Sequence, residues 1–208
     1  MKSILLSVFL FGLITANAQS DKYVAAMQKT LVIFDSAKTT ADFQSVANSF
    51  ERIGDAEKTQ WLPYYYAGLA LTSSGWNDAK LDKDANSARV IALCDKAESI
   101  EKNAEICTLR NMAATQQMMI DPQTRWKTYG VDASTALQKG MQLDPNNPRL
   151  YYLQGMSLFG TPAAFGGGKD KAKPLFEKSV ALYKTFKVKP LYPSWGQAQA
   201  EEMLAKCQ

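Results

Sequence analysis

The chain has 208 residues, with 24 lysines and arginines against 20 aspartates and glutamates and a formal net charge of +4 at pH 7. This mild, interspersed charge excludes a strongly basic binding surface, so we expect no nucleic-acid partner. The sequence contains no histidine, which excludes histidine zinc sites and histidine-activated nucleophiles. We therefore expect no catalytic residues, no metal, no cofactor and no enzymatic activity.

The first 18 residues have the pattern of a secretory signal peptide. Lys2 supplies a positive charge, and the apolar run ILLSVFLFGLI follows over residues 4–14. As a helix this run measures about 16 Å, too short for a hydrocarbon core of about 30 Å. We expect cleavage near Ala18-Gln19, rather than an N-terminal membrane anchor. The mature protein, residues 19–208, is then periplasmic or secreted, with no membrane span.

In the mature chain apolar residues recur at helical spacing, and no segment shows the alternation of a strand. The first two stripes predict a hairpin over residues 22–54, with a cap at Thr39-Thr40 and an end at Gly54. Asp121-Pro122 ends one later helix and begins the next, because the residue before proline avoids the helical region. A last helix over residues 194–206 is expected to cap the fold, for a total of about nine helices.

Internal similarity relates the helices in pairs. The segment WLPYYYAGLAL from Trp61 aligns with PRLYYLQGMSL from Pro148, and IEKNAEICTLRN from Ile100 resembles LDPNNPRLYYLQG from Leu143. The starts near residues 61, 104 and 148 imply a period of about 43 residues, and a fixed two-helix period is typical of an α-solenoid. We expect a single domain with about three such repeats over residues 61–187.

This pattern resembles the tetratricopeptide repeat (TPR) family, whose first helix carries an aromatic residue and Leu-Gly, and whose second carries Ala-x3-Phe-x2-Ala. In the third unit these positions fall on Tyr151, Gly155, Ala172 and Phe176, and LDPNNPR is the most specific segment. The string NPR-x-YY-x2-G-x4-GTP-x-AFGGGK also resembles a group of exported repeat proteins of Bacteroidetes. These resemblances imply an all-α solenoid of antiparallel helical hairpins in the cell envelope. Four aromatic residues are expected to fill the wedges between hairpins: Trp61, Trp126, Tyr151 and Phe176.

The concave face of such a solenoid is built mainly from the first helix of each repeat. Its expected lining is Leu62, Tyr65, Leu69, Glu105, Thr108, Met112, Arg149, Tyr152 and Met156. Aromatic residues, methionines and one arginine suit an extended or helical peptide. We predict a protein-binding or scaffolding module, monomeric or weakly oligomeric. The alternatives are a structural subunit of an envelope assembly and a small-anion or small-molecule binder.

The small-anion alternative relies on a glycine-rich turn, Gly166, Gly167, Gly168 and Lys169. Such a turn before a helix can present several backbone N–H groups to an anion. It lacks the glycine and Ser/Thr positions of a nucleotide-binding P-loop. The other interpretation is an expanded turn between two helices, where glycines supply positive φ angles.

The three cysteines lack CxxC spacing. Cys94 and Cys107 lie at similar distances from the turn near Glu101, so on antiparallel helices they are candidates for a disulfide. The alternative is that they are two separate small core residues. Cys207 is left unpaired in either case.

Overall fold

The computed structural model describes residues 20–208, so the signal peptide expected over residues 1–18 lies outside the described residues. The elements in chain order are α1 Asp21–Ser36, α2 Thr40–Glu57, α3 Leu62–Asn77, α4 Lys83–Ile100, α5 Ala104–Met118, α6 Pro122–Arg125, a π-helical turn Trp126–Gly130, α7 Val131–Leu143, α8 Pro148–Gly160, a 3-10 turn Ala163–Phe165, α9 Lys169–Tyr183 and α10 Gln197–Ala205. The prediction of an all-α fold is confirmed, and with α6 to α7 counted as one interrupted helix, residues 20–208 form nine helices. Across the same residues no helix combines the length and the apolar character needed to cross a membrane.

Polar side chains at the first turns set where several helices begin. Thr39 and Asp42 form a reciprocal capping box at the start of α2, in which the Thr39 N–H donates to Asp42 Oδ2 over 2.9 Å. Asp82 accepts from the backbone at the start of α4, and Asn103 does so at the start of α5. Caps of this kind each stabilise a helix by about 0.5–2 kcal/mol. The short turns between capped helices make consecutive helices antiparallel.

Consecutive helices pack as hairpins, and the first helices of the three repeats, α3, α5 and α8, also contact one another in series. These helices begin at Leu62, Ala104 and Pro148. Glycine allows the closest approach between the two helices of the third hairpin. A Cβ added at Gly155 would lie 2.6 Å from Phe176 Cε1, so only a hydrogen fits between α8 and α9 there.

The larger part of the core lies among α1 to α5, and a smaller cluster lies under the C-terminal helices. In that smaller cluster Ala172 and Phe176 of α9 pack with Met203 and Cys207. Helix α10 therefore covers an apolar face of α9 that would otherwise meet water. Three of the four aromatic wedge residues, Trp61, Tyr151 and Phe176, are buried as expected.

Between α9 and α10 the chain turns back across the first helices, and we call residues 187–196 the strap. Tyr66 donates its hydroxyl hydrogen to the Leu191 carbonyl over 2.9 Å, and Trp195 Nε1 donates to the Tyr65 hydroxyl over 2.8 Å. Leu191 adopts a left-handed φ of 66° to make this turn. The strap thereby joins the end of the chain to α3, at the start of the first repeat.

Candidate binding surfaces

The predicted concave groove is not an open surface, because the strap covers it. Among the residues expected to line it, these are buried: Leu62, Tyr65, Leu69, Glu105, Thr108 and Arg149. Met112 and Tyr152 are half-buried, and Met156 is 37% exposed. The prediction of an accessible ligand groove at these positions is therefore wrong. The chain's own C-terminal segment takes the place that a peptide was expected to fill.

Arg149 is the centre of the covered region and is 0% exposed. Its Nη1 donates to Glu105 Oε1 over 2.9 Å, and its Nη2 donates to the carbonyl of Pro193 in the strap. The guanidinium also lies 5.2 Å from the ring centroids of both Phe186 and Trp195. One side chain thus ties α5, α8 and the strap together, which gives Arg149 a structural role.

A cleft of about 290 Å³ opens beside this ion pair, at the end of the hairpins where successive repeats connect. Glu105 lines it from the interior, and Asn147 Nδ2 donates to Glu105 Oε1 over 2.7 Å. Burial raises the pKa of the Glu105 carboxyl, although Arg149 and Asn147 act in the opposite direction. Trp61 forms part of the wall, in edge-to-face contact with Tyr192 of the strap. We call this space the strap cleft.

At the opposite end of the hairpins, near the turns inside each repeat, large apolar side chains are exposed to solvent. We call five of them the apolar edge: Trp76, Met119, Ile120, Trp126 and Val131. Trp76 lies in the last turn of α3, Met119 and Ile120 follow α5, and Trp126 and Val131 lie in and directly after the π-helical turn. Phe165 in the next turn along the solenoid is 81% exposed. Contiguous exposed apolar patches commonly mark binding sites.

Close packing brings together the elements that carry the apolar edge. A Cβ at Gly75, beside Trp76, would lie 2.8 Å from Gln116 Cδ near the end of α5. A Cβ at Gly130 would lie 3.2 Å from Met118 Sδ and 3.7 Å from Trp126 Cβ. The ends of α3 and α5 and the π-helical turn are therefore neighbours.

Cationic groups border the apolar edge. Arg125 Nη1 donates to Asp84 Oδ1 over 2.8 Å, which fixes α6 against the start of α4 and lowers the pKa of the Asp84 carboxyl. Lys127 Nζ lies 5.7 Å from the centroid of the Trp126 ring. Trp126 is 54% exposed, so the prediction that it fills a wedge between hairpins is wrong. In the sequence, Trp126 stands between two cationic residues, Arg125 and Lys127, and this pattern favours an exposed position over a buried one.

The glycine-rich turn is not a cradle for an anion. The backbone N–H groups of Gly166 and Gly167 donate to carbonyl groups of the same connection, and that of Gly168 donates to the Leu158 carbonyl in the last turn of α8. Gly166 and Gly168 have φ angles of 84° and 102°, and a Cβ at Gly167 would overlap the carbonyl of Thr161. The glycines are present for turn geometry, and Lys169 begins α9 as an exposed residue. The candidate anion loop is therefore corrected to a structural turn.

All three cysteines are free and buried, so the candidate disulfide between Cys94 and Cys107 is not formed. Burial raises the pKa of the Cys94 thiol to about 12, which keeps it protonated and unreactive at neutral pH. Cys207 lies just after α10 and packs with Ala172 and Phe176 of α9. In the part of the chain that the structure describes, no group of three or more Cys, Asp or Glu side chains is arranged to hold a metal ion.

The fold is that of an all-helical protein built from antiparallel hairpins. No family model and no curated protein matches the chain. Among solved structures it is similar to the HusA haemophore from Porphyromonas gingivalis, with 36% sequence identity and a TM-score of 0.83. The alignment covers 92% of this chain and 95% of that one. The chain therefore belongs to the family of this haemophore.

This relationship corrects the predicted function. The relative is a haemophore, so the prediction of a peptide or protein ligand on the concave face is wrong, and the small-molecule alternative agrees better. The relative also comes from the Bacteroidetes, the group indicated by the GTP-x-AFGGGK string. Membership of the TPR family stays a prediction, because no family model matches.

Proposed function

We propose that this protein binds haem or a closely related tetrapyrrole and carries it without catalysing a reaction. The observation that supports this most strongly is the 36% identity to a haemophore over 92% of the chain. We place the ligand at the apolar edge, because neighbouring elements of the described chain expose several large apolar and aromatic side chains there.

The chemistry of the apolar edge fits such a ligand. Haem is a flat apolar macrocycle with two carboxylates on one side. Trp76 and Trp126 are 48% and 54% exposed and offer faces for stacking. Lys127, beside the Trp126 ring, and Lys80, in the turn after α3, offer positive charge to the carboxylates. Covering roughly 100 Å² of one indole contributes about 2.5 kcal/mol to binding.

The iron is expected to contribute little to affinity. The sequence contains no histidine, so the imidazole–iron bond common in haem proteins has no donor here. Met119, 50% exposed, supplies a thioether at the apolar edge. Ring contacts therefore carry the binding, and iron-free protoporphyrin IX should bind within about tenfold of hemin.

Titration of purified protein (residues 19–208) with hemin, followed by Soret absorbance, tests the proposal. We expect a saturable spectral change, weakened about tenfold or more by Trp126→Ala and by Trp76→Ala. Leu143→Ala is the matched control, because Leu143 is 45% exposed but lies at the opposite end of the hairpins. The absence of a Soret change contradicts haem binding. If Leu143→Ala weakens hemin binding and Trp126→Ala does not, the ligand is not at the apolar edge. If the Soret band of bound hemin decays with time, the proposal that the protein carries haem without catalysing a reaction is wrong.

The same proposal places the protein outside the cytoplasm, on the signal-peptide pattern of residues 1–18. N-terminal sequencing of protein recovered from the native envelope or medium should begin at Gln19. A sequence that begins at Met1 would contradict export by this route.

A further inference from the structure

The strap cleft contains a buried carboxylate oxygen that has no partner. Glu105 is 7% exposed, and its Oε1 accepts from Asn147 and from Arg149. Its Oε2 has no hydrogen-bond partner among the described residues. Leaving a buried acceptor unpaired is unfavourable, and such groups normally have a protein, water or ligand donor. Glu105 is one of the residues that line the cleft, and its Oε2 is itself buried, so only a donor bound in the deepest part of the cleft would approach it.

Aromatic side chains from two parts of the chain form part of the cleft wall. Trp61 lies at the start of α3, while Phe186 and Tyr192 lie before and in the strap. Trp61 and Tyr192 meet edge to face with ring centroids 5.5 Å apart. This pair forms a rigid aromatic surface beside Glu105. An apolar or aromatic group of modest size suits the volume of about 290 Å³.

The mouth of the cleft is rich in positive charge. Lys102, Lys187 and Lys189 line it and are all exposed. Glu101 and Asp144 also line it, so the mouth has both signs of charge with one more lysine than carboxylates. A ligand with one positive and one negative group matches this arrangement better than a simple cation or anion.

We propose that the strap cleft binds a small zwitterion, namely an amino acid with an apolar or aromatic side chain. Its ammonium group donates to Glu105 Oε2, which completes the hydrogen bonding of that carboxylate. Its carboxylate pairs with Lys187 or Lys189 at the mouth, and its side chain packs against Trp61 and Tyr192. This site lies at the opposite end of the hairpins from the apolar edge and is independent of haem binding.

Three probes of one shape separate the contributions: L-phenylalanine, phenethylamine, which lacks the carboxylate, and 3-phenylpropanoate, which lacks the amine. Binding is measured by calorimetry and by indole N–H shifts in NMR spectra, with the Trp61 signal assigned from Trp61→Phe. We expect L-phenylalanine to bind and to move the Trp61 signal, phenethylamine to bind about tenfold more weakly, and 3-phenylpropanoate not to bind. No binding of L-phenylalanine at 10 mM, or shifts that omit Trp61, would overturn the proposal.

The variants test each contact. Glu105→Gln keeps an acceptor for Arg149 and Asn147, removes the negative charge, and should weaken L-phenylalanine binding tenfold or more. Lys187→Ala combined with Lys189→Ala changes exposed residues only and should weaken it severalfold, while Lys184→Ala, an exposed lysine outside the cleft, should leave it unchanged. If Glu105→Gln does not fold, the double lysine variant still tests the proposal, because unchanged L-phenylalanine binding in that variant overturns it. Hemin titration should be unchanged in every variant, so the two proposals succeed or fail separately.

Discussion

Replacement of Arg149 by methionine should destabilise the protein strongly. The guanidinium is fully buried, and removing it leaves the Glu105 carboxylate in the interior with Asn147 as its one remaining donor. Breaking a buried ion pair by removing one partner costs about 3–5 kcal/mol. The folded state of a domain is typically stable by about 5–15 kcal/mol in total. Urea unfolding, followed by circular dichroism at neutral pH, measures this loss directly.

Lys96→Met is the matched control, because Lys96 pairs with Glu51 while its side chain is 44% exposed. This substitution should lower the free energy of unfolding by no more than about 1 kcal/mol.

The effect of pH gives a second readout. The folded-state pKa of Glu105 is raised, so its contribution to stability is intact below the unfolded pKa and declines as pH rises through the folded pKa. Without Arg149 the pKa of Glu105 rises further, so the loss of unfolding free energy in Arg149→Met should be larger at high pH than near pH 5. A loss below about 1 kcal/mol, or one independent of pH, would refute the reasoning.

Three further outcomes follow from the packing. Gly155→Ala should lower the free energy of unfolding by about 1–3 kcal/mol in urea, because the new Cβ would meet the Phe176 ring. Gly160→Ala in the same helix has open space around it and should be neutral or stabilising, so equal effects of the two substitutions would contradict the close approach of α8 and α9. Cys94, Cys107 and Cys207 should resist a thiol reagent in the native state and react together only on unfolding, and fast native labelling of Cys94 would contradict its burial. Trp195→Phe should cost about 1 kcal/mol in thermal unfolding through loss of its hydrogen bond to Tyr65, and an unchanged melting temperature would show that the strap is not held by that bond.

The helices were predictable from sequence because the signals that define them are local. The Thr39 cap and the prolines at positions 122 and 148 mark helix starts that the structure reproduces. The strap was not predictable, because Trp195 and Tyr65 are 130 residues apart and no periodicity links them.

The surfaces were harder to predict, since a helical register gives the direction of a side chain but not its depth. Arg149 points toward the concave face as expected, yet the strap covers it and leaves it fully buried. Trp126 is expected in a wedge between hairpins, but it begins a π-helical turn, whose wider spacing rotates side chains away from α-helical positions. The glycines at 166 to 168 resembled an anion cradle because sequence does not show where their N–H groups point.

The strap also changes how the fold is expected to unfold. In an open solenoid each repeat contacts its neighbours alone, so terminal repeats can fray and stability grows repeat by repeat. Here bonds that span 125 and 130 residues join the last segment to the first repeat. The strap therefore adds long-range contacts to α3, which already packs against α2. The repeats from α3 onward should consequently melt in one cooperative transition, and α3 cannot complete its packing until the strap has been made.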